Sequence, residues 1–227
     1  EYVDRIAKGD IPPKVKDNFK GDFNEIKNNL NQCIDSLNGL IGEMMSTTKL
    51  QKEGDIDAFA QTDKFQGIYR ELVAGFNEGM QIHINNILDI INSLNNYSQG
   101  DLSKEMRVLP GKQIILTNTI NSLRLNVINL ITDANMLAGS TVEGKLKTRV
   151  DATHHQGDFR KIVEGINNML NSVVSPIDEI SSVMSVFATG DLTHRIISDY
   201  KGDFAKLQND VNHFADSLSD LILKISD

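Results

Sequence analysis

The sequence contains no tryptophan, one cysteine and four prolines in 227 residues, and aromatic side chains make up only 6% of it. Without tryptophan and with so few rings, the chain lacks the bulky residues that usually fill one large globular core. The single cysteine, Cys33, can form no intramolecular disulfide, and no spacing of Cys with His resembles a zinc site. That usage suits a reducing, cytoplasmic compartment. No apolar run approaches the roughly 18 to 20 residues needed to span a bilayer, and the N-terminus has no basic-then-apolar leader pattern. The segment is therefore expected to be soluble, while a parent protein could be anchored in the inner membrane. Positive charge is also in short supply: 23 Lys and Arg stand against 31 Asp and Glu, giving a net charge of -8. With no basic stripe, a nucleic-acid partner held by phosphate neutralisation is excluded.

What is present is a repeat. Glycine, any residue and an aliphatic recur as Gly9-Asp10-Ile11, Gly54-Asp55-Ile56, Gly100-Asp101-Leu102, Gly144-Lys145-Leu146 and Gly190-Asp191-Leu192, spaced 45, 46, 44 and 46 residues apart. An apolar residue followed by Asn forms a second anchor at Asn31, Asn77, Asn121, Asn167 and Asn212, spaced 46, 44, 46 and 45. Two anchors running in step indicate tandem modules rather than one domain. Four residues beyond each first aliphatic stands another small or apolar residue, pairing Ile11 with Val15, Ile56 with Ala60, Leu102 with Met106, Leu146 with Val150 and Leu192 with Ile196. Each linker is thus specified by its sequence.

Between the linkers the apolar spacing is helical and narrow. Phe204, Leu207, Val211, Phe214, Leu218, Leu221 and Ile225 alternate steps of three and four, the heptad seam of a coiled coil. The same seam runs through Phe159, Ile162 and Ile166 in the fourth repeat, and through Phe23, Ile26, Leu30, Cys33 and Leu37 in the first. A 4-4 step, or stutter, follows at corresponding places, after Leu37, His83, Val127 and Val173, the last beside Pro176. A stutter resets the stripe's phase, which lets the second helix of one repeat continue into the first helix of the next.

Each repeat is therefore expected to be a helix of about four turns, a glycine-opened linker of some 13 residues and a second, parallel helix. Gly9, Gly54, Gly100, Gly144 and Gly190 stop the first helices, and Asp22, Asp158 and Asp203 are placed to cap the second ones. Two parallel helices with one narrow stripe each cannot close a core, but two copies around a two-fold axis make a four-helix bundle, so a parallel homodimer is expected. The boundaries fall at 1–42, 43–86, 87–130, 131–175 and 176–227, with the first helix of repeat one truncated and repeat two divergent through Gln66-Gly67-Ile68, Gly79 and His83.

Parallel helices joined by Gly, any residue, aliphatic, three residues, aliphatic resemble the HAMP domain. The stretch from Pro176-Ile-Asp-Glu-Ile through Ala188-Thr-Gly-Asp-Leu192, Lys201-Gly-Asp-Phe204 and Val211-Asn-His-Phe-Ala-Asp-Ser-Leu218 is similar to such a unit from end to end. Glu1 to Asp10, Gly21 to Leu30, and Asp133 to Leu137 followed by Gly144 to Asp151 resemble the tandem (poly-)HAMP regions of bacterial methyl-accepting chemotaxis proteins. The resemblance implies an all-α fold of concatenated units and a role in signal transduction: relaying conformational change between an upstream sensor and a downstream output domain of one parent chain. A tandem HAMP linker of a sensor histidine kinase and a static coiled-coil spacer are the competing readings. The repeated stutter and the specified linker weigh against a passive rod.

No carboxylate pair or nucleophile with its base stands out, so no enzymatic activity, catalytic residue or cofactor is expected. His154 and His155 lack a third ligand and are expected to be solvated, leaving no metal site, and His194 and His213 read as surface residues. His83 lies on the seam, where a partly buried neutral imidazole is the plain expectation and a pH-responsive element the sharper one. Cys33 is expected to be a small core residue. Ser198 is taken as an exposed linker position beside the locking aliphatics Leu192 and Ile196.

Overall fold

The heptad seams become long helices. The computed structural model describes residues 1–226, in which α1 spans Tyr2–Ala7, α2 Asp22–Lys52, α3 Gly67–Ser98, α4 Ile114–Val142, α5 Gly157–Phe187 and α6 Asp203–Ser226. Among the described residues no strand forms, and the fold is all-α. From α2 to α5, each helix begins as the second helix of one repeat and ends as the first helix of the next, without a break at the stutter. Even Pro176 is accommodated inside α5, fully buried, where the missing N–H costs one backbone bond and does not end the helix.

The chain divides into two compact bodies, Glu1–Gly111 and Lys112–Asp227. In the first, the C-terminal half of α2, the linker 53–66 and the start of α3 enclose a core of Ala60, Phe65 and Val73, with Leu40, Met44 and Tyr69 against it. In the second, Leu137 of α4, Val150 of the linker, and Val163 and Leu170 of α5 form one core. Val183 and Phe187 of α5, Ile196 of the next linker and Ala215 of α6 form another. Each core has the same three contributors: incoming helix, linker and outgoing helix.

Contact order along the linker sets helix direction. Linker 143–156 meets α5 in reverse, with Lys147 at Asp178, Arg149 at Asn171 and Val150 at Asn167. It meets α4 in reverse too, through Leu137 with Val150 and then Asp133 with His155. A linker antiparallel to both helices makes α4 and α5 parallel to each other.

Two glycines bracket each linker, for different reasons. At the helix ends Gly9, Gly54, Gly100, Gly144 and Gly190 have φ between 75° and 99°. In four of these turns the next residue donates its N–H to the carbonyl five positions back, as Asp55 does to Leu50 and Lys145 to Ser140, the hydrogen-bond pattern of a left-handed helix stop. At the start of the outgoing helices Gly21, Gly67, Gly111, Gly157 and Gly202 have φ between 52° and 59°. A Cβ there would meet nothing within 4 Å, so conformation rather than space demands glycine. In α2 and α5 the expected acidic caps are not made: neither helix has a side-chain cap bond, and Asp158 pairs with Lys161 at 2.7 Å instead. Asp22, Asp158 and Asp203 act through charge in the first turn.

Candidate functional site: the linker clamp

The second linker aliphatic is held twice, by its side chain and by its backbone. Val150 and Ile196 are buried, as are Ala60 and Met106 at the equivalent positions, whereas Val15 is half-buried. Of the first aliphatics, Ile11, Leu102, Leu146 and Leu192 are half-buried, and Ile56 is exposed. The deeper anchor is therefore the second.

Its backbone is gripped by the recurring asparagine. The Asn31 side chain accepts from Val15 N at 2.8 Å and donates to Val15 O at 3.0 Å. Asn77 does the same to Ala60 at 3.0 and 2.7 Å, Asn167 to Val150 at 3.3 and 2.8 Å, and Asn212 to Ile196 at 2.9 and 2.9 Å. Only an amide offers one acceptor and one donor in this fork, which explains why Asn recurs. A linker strand beside a helix has no ladder for its N–H and C=O, and this clamp supplies their partners. Among the described residues no buried side-chain polar atom lacks a partner.

A second contact reinforces the clamp. The cation preceding the second aliphatic reaches the residue one turn beyond the asparagine, in Lys14 with Asp35 (2.5 Å), Arg149 with Asn171 (2.7 Å) and Arg195 with Asp216 (2.5 Å). Both arginines also donate to carbonyls of their own linker, those of Leu146 and Thr148 and those of Leu192 and His194.

The incoming helix is tied to the end of the linker through a carboxylate. Glu43 accepts from Lys64 at 2.7 Å and from Gln61 N at 2.9 Å, and Tyr200 donates its hydroxyl to Glu179. The bond from Lys64, then that from Gln61 N, holds the Glu43 carboxyl below its usual range. Tyr200 first and Ser198 second do so for Glu179. A carboxyl lowered in the folded state stabilises the fold above its ordinary pKa of about 4.3 and loses that contribution as pH falls through the lowered value. Acidification below about pH 4.5 is accordingly expected to loosen the linker 188–202, seen as faster amide exchange corrected for intrinsic rates, and Glu179→Gln should remove that dependence. An unchanged pH response in the variant would rule Glu179 out as its source.

Several sequence expectations change here. His155 is not solvated: its side chain is 3% exposed, with Nε2 2.6 Å from Asp133 Oδ2. It stands where repeat two places the buried Phe65, each ending a short 3-10 turn, Thr62–Lys64 or Ala152–His154. Repeats two and four thus share this short turn in the linker. His154 is exposed beside Asp151 at 3.7 Å, His194 lies 3.2 Å from Asp191, and His213 is exposed. His83, expected to be partly buried, is exposed in the single chain. Ser198 is half-buried and its carbonyl accepts from Gln208, whereas its neighbour Ile197 is the exposed one. Among the described residues no group of three or more His, Cys, Asp or Glu could hold a metal, and no helix is long and apolar enough to cross a membrane.

None of these seam residues is buried within the single chain. Phe23 is 72% exposed and Ile26 61%, Ile162, Leu207 and Phe214 are also exposed, and Leu30, Cys33, Leu37, Phe159, Ile166, Phe204, Val211 and Leu218 are half-buried. The side chains buried inside one chain include Val73, Val163 and Ala215, on the adjacent helix face, each packed in a core that contains a linker residue.

Asn167→Ala removes one clamp and orphans the Val150 N–H, which is expected to cost about 2 kcal/mol in urea unfolding. The exposed Asn168→Ala next to it should be near neutral; equal losses would deny the clamp its role.

Parallel helices bridged by a clamped linker define one repeating helical module. Residues 1–39 and 154–220 match the HAMP domain model, and residues 89–127 match HAMP N-terminal domain 3. The chain is 28% identical over 93 residues to methyl-accepting chemotaxis protein McpB of Pseudomonas aeruginosa, a match covering 41% of this chain and 14% of that protein. The chain therefore contains HAMP domain regions, and part of it is similar to a methyl-accepting chemotaxis protein of which it spans 14%.

Proposed function

We propose that the chain is a stack of five HAMP units, bounded near 42, 86, 130 and 175, which works as a parallel homodimer. In this reading it passes changes in helix packing from a sensor domain to an output domain of the same parent. The observation that carries the proposal is the exposed apolar seam. Leu72, Leu116, Ile162 and Leu207 occupy one register position in successive repeats, and all are more than 40% exposed in the single chain. A soluble chain rarely leaves such a recurring stripe uncovered, and the narrow heptad pattern selects another helix as its cover. Because every repeat presents the same stripe, a second copy in the same direction matches it layer by layer. The linkers of Gly9, Gly54, Gly100, Gly144 and Gly190 would then hold each helix pair as one body that shifts against its partner.

The single cysteine tests this. In a parallel dimer the two Cys33 side chains share a layer, on the order of 6 to 12 Å apart given axes 8 to 10 Å apart, and a short bismaleimide is expected to capture a covalent dimer. Failure to cross-link, under conditions where light scattering reports a dimer and the denatured thiol reacts, would end the parallel arrangement.

A further inference from the structure

The asparagine clamp has the same form in four linkers, but the tie to the incoming helix does not. Glu43, Asp89, Asp133 and Glu179 stand at one register position, spaced 46, 44 and 46 residues apart, in step with the repeat. Each accepts from the second half of its own linker, and each donor is chemically different: Lys64 at 2.7 Å, Arg107 at 2.5 Å, His155 at 2.6 Å and the Tyr200 hydroxyl. Their surroundings differ as well. Asp89 and Arg107 are 41% and 51% exposed, whereas Asp133 is 26% and His155 only 3% exposed.

We propose that this carboxylate is the releasable latch of each repeat, and that the donor facing it decides which conditions release it. The exposed Arg107–Asp89 latch of repeat three yields to ionic strength, and the enclosed His155–Asp133 latch of repeat four does not. Mobile ions screen exposed charges within a few ångströms at high salt but reach buried pairs far less. The asparagine clamps of the other linkers, such as Asn167 on Val150 in repeat four, are neutral amide contacts without such a response, so there the linker stays on the outgoing helix when the latch to the incoming helix opens. Arg107 also donates to Asn86 at 2.6 Å, which keeps the guanidinium near α3 and makes the release graded. Identical latches would make all repeats yield together; different donors give each repeat its own threshold. The purpose assigned to the latch rests on the relay reading, but its chemistry is measurable without any output domain.

The experiment is hydrogen–deuterium exchange on the full chain at about 50 mM and about 1 M sodium chloride. Amides of 103–109 are expected to exchange roughly two- to five-fold faster at the higher salt, the range for an exposed ion pair, and those of 151–156 to be unchanged. Asp89→Asn should give the faster rate at both concentrations, and Arg107→Gln the same from the other side of the pair. Asp133→Asn should speed 151–156 equally at both. An equal salt response in the two linkers, or a salt response surviving in Asp89→Asn, overturns the proposal. The Cys33 cross-link fails or succeeds independently of these outcomes.

Discussion

Ile196→Ala is expected to destabilise the fifth repeat by about 3 kcal/mol, within the 2 to 5 kcal/mol typical of a buried Ile or Leu cut to Ala. Ile197→Ala beside it should stay within about 0.5 kcal/mol. The pair differs in little but burial, 1% against 88% exposed. Ile196 fills the space between Val183, Phe187 and Ala215, so truncation leaves a cavity at the point where the incoming helix, linker and outgoing helix meet. Its backbone stays clamped by Asn212 and Gln208, which limits collapse around the void. Urea unfolding, with exchange of 188–226 to localise the loss, measures both variants. Equal effects would make the linker a tether and remove the rigid helix pair from the relay mechanism.

Phe214→Asp should convert the dimer to monomer at micromolar concentration. Phe214 is 50% exposed in the single chain, beside Val211 and Met184 on the outward stripe. In the proposed dimer the substitution buries two like charges near the axis without partners, a penalty of several kcal/mol. Lys206→Asp makes a larger change in charge, two units against one, off that stripe and should leave the dimer intact. Sedimentation or light scattering distinguishes the outcomes, and a Phe214→Asp chain that remains a dimer would place the contact elsewhere.

Much of the linker was legible because its requirements are local. A helix stop needs a left-handed residue, so Gly54 and Gly144 announce themselves, and the anchor pattern put Asn77 and Asn167 in every repeat without saying what they hold. The second glycine series, Gly21 to Gly202, carries the same spacing of 46, 44, 46 and 45 as the asparagines and could have been read from it. So could the acid series from Glu43 to Glu179. Their partners could not, because Lys64 and Tyr200 fall four residues after the second linker aliphatic, His155 five and Arg107 only one, and the four donors share no residue type. His155 is the sharpest case: beside His154 it resembles a solvated pair, yet the 3-10 turn of residues 152–154 aims one ring outward and the other at Asp133.

The sequence by itself determined the period of the repeat, the alternation of helix and linker, and the outward stripe, because these follow from helical periodicity and from glycine's freedom at positive φ. Only the tertiary structure decided that Asn31, Asn77, Asn167 and Asn212 clamp the linker backbone, that Ile196 and not Ile197 is the lock, and which donor each carboxylate meets. These depend on how an irregular strand lies across two helices 12 to 22 residues away in the chain. No local pattern encodes a contact whose two sides are ordered by packing rather than by the backbone between them.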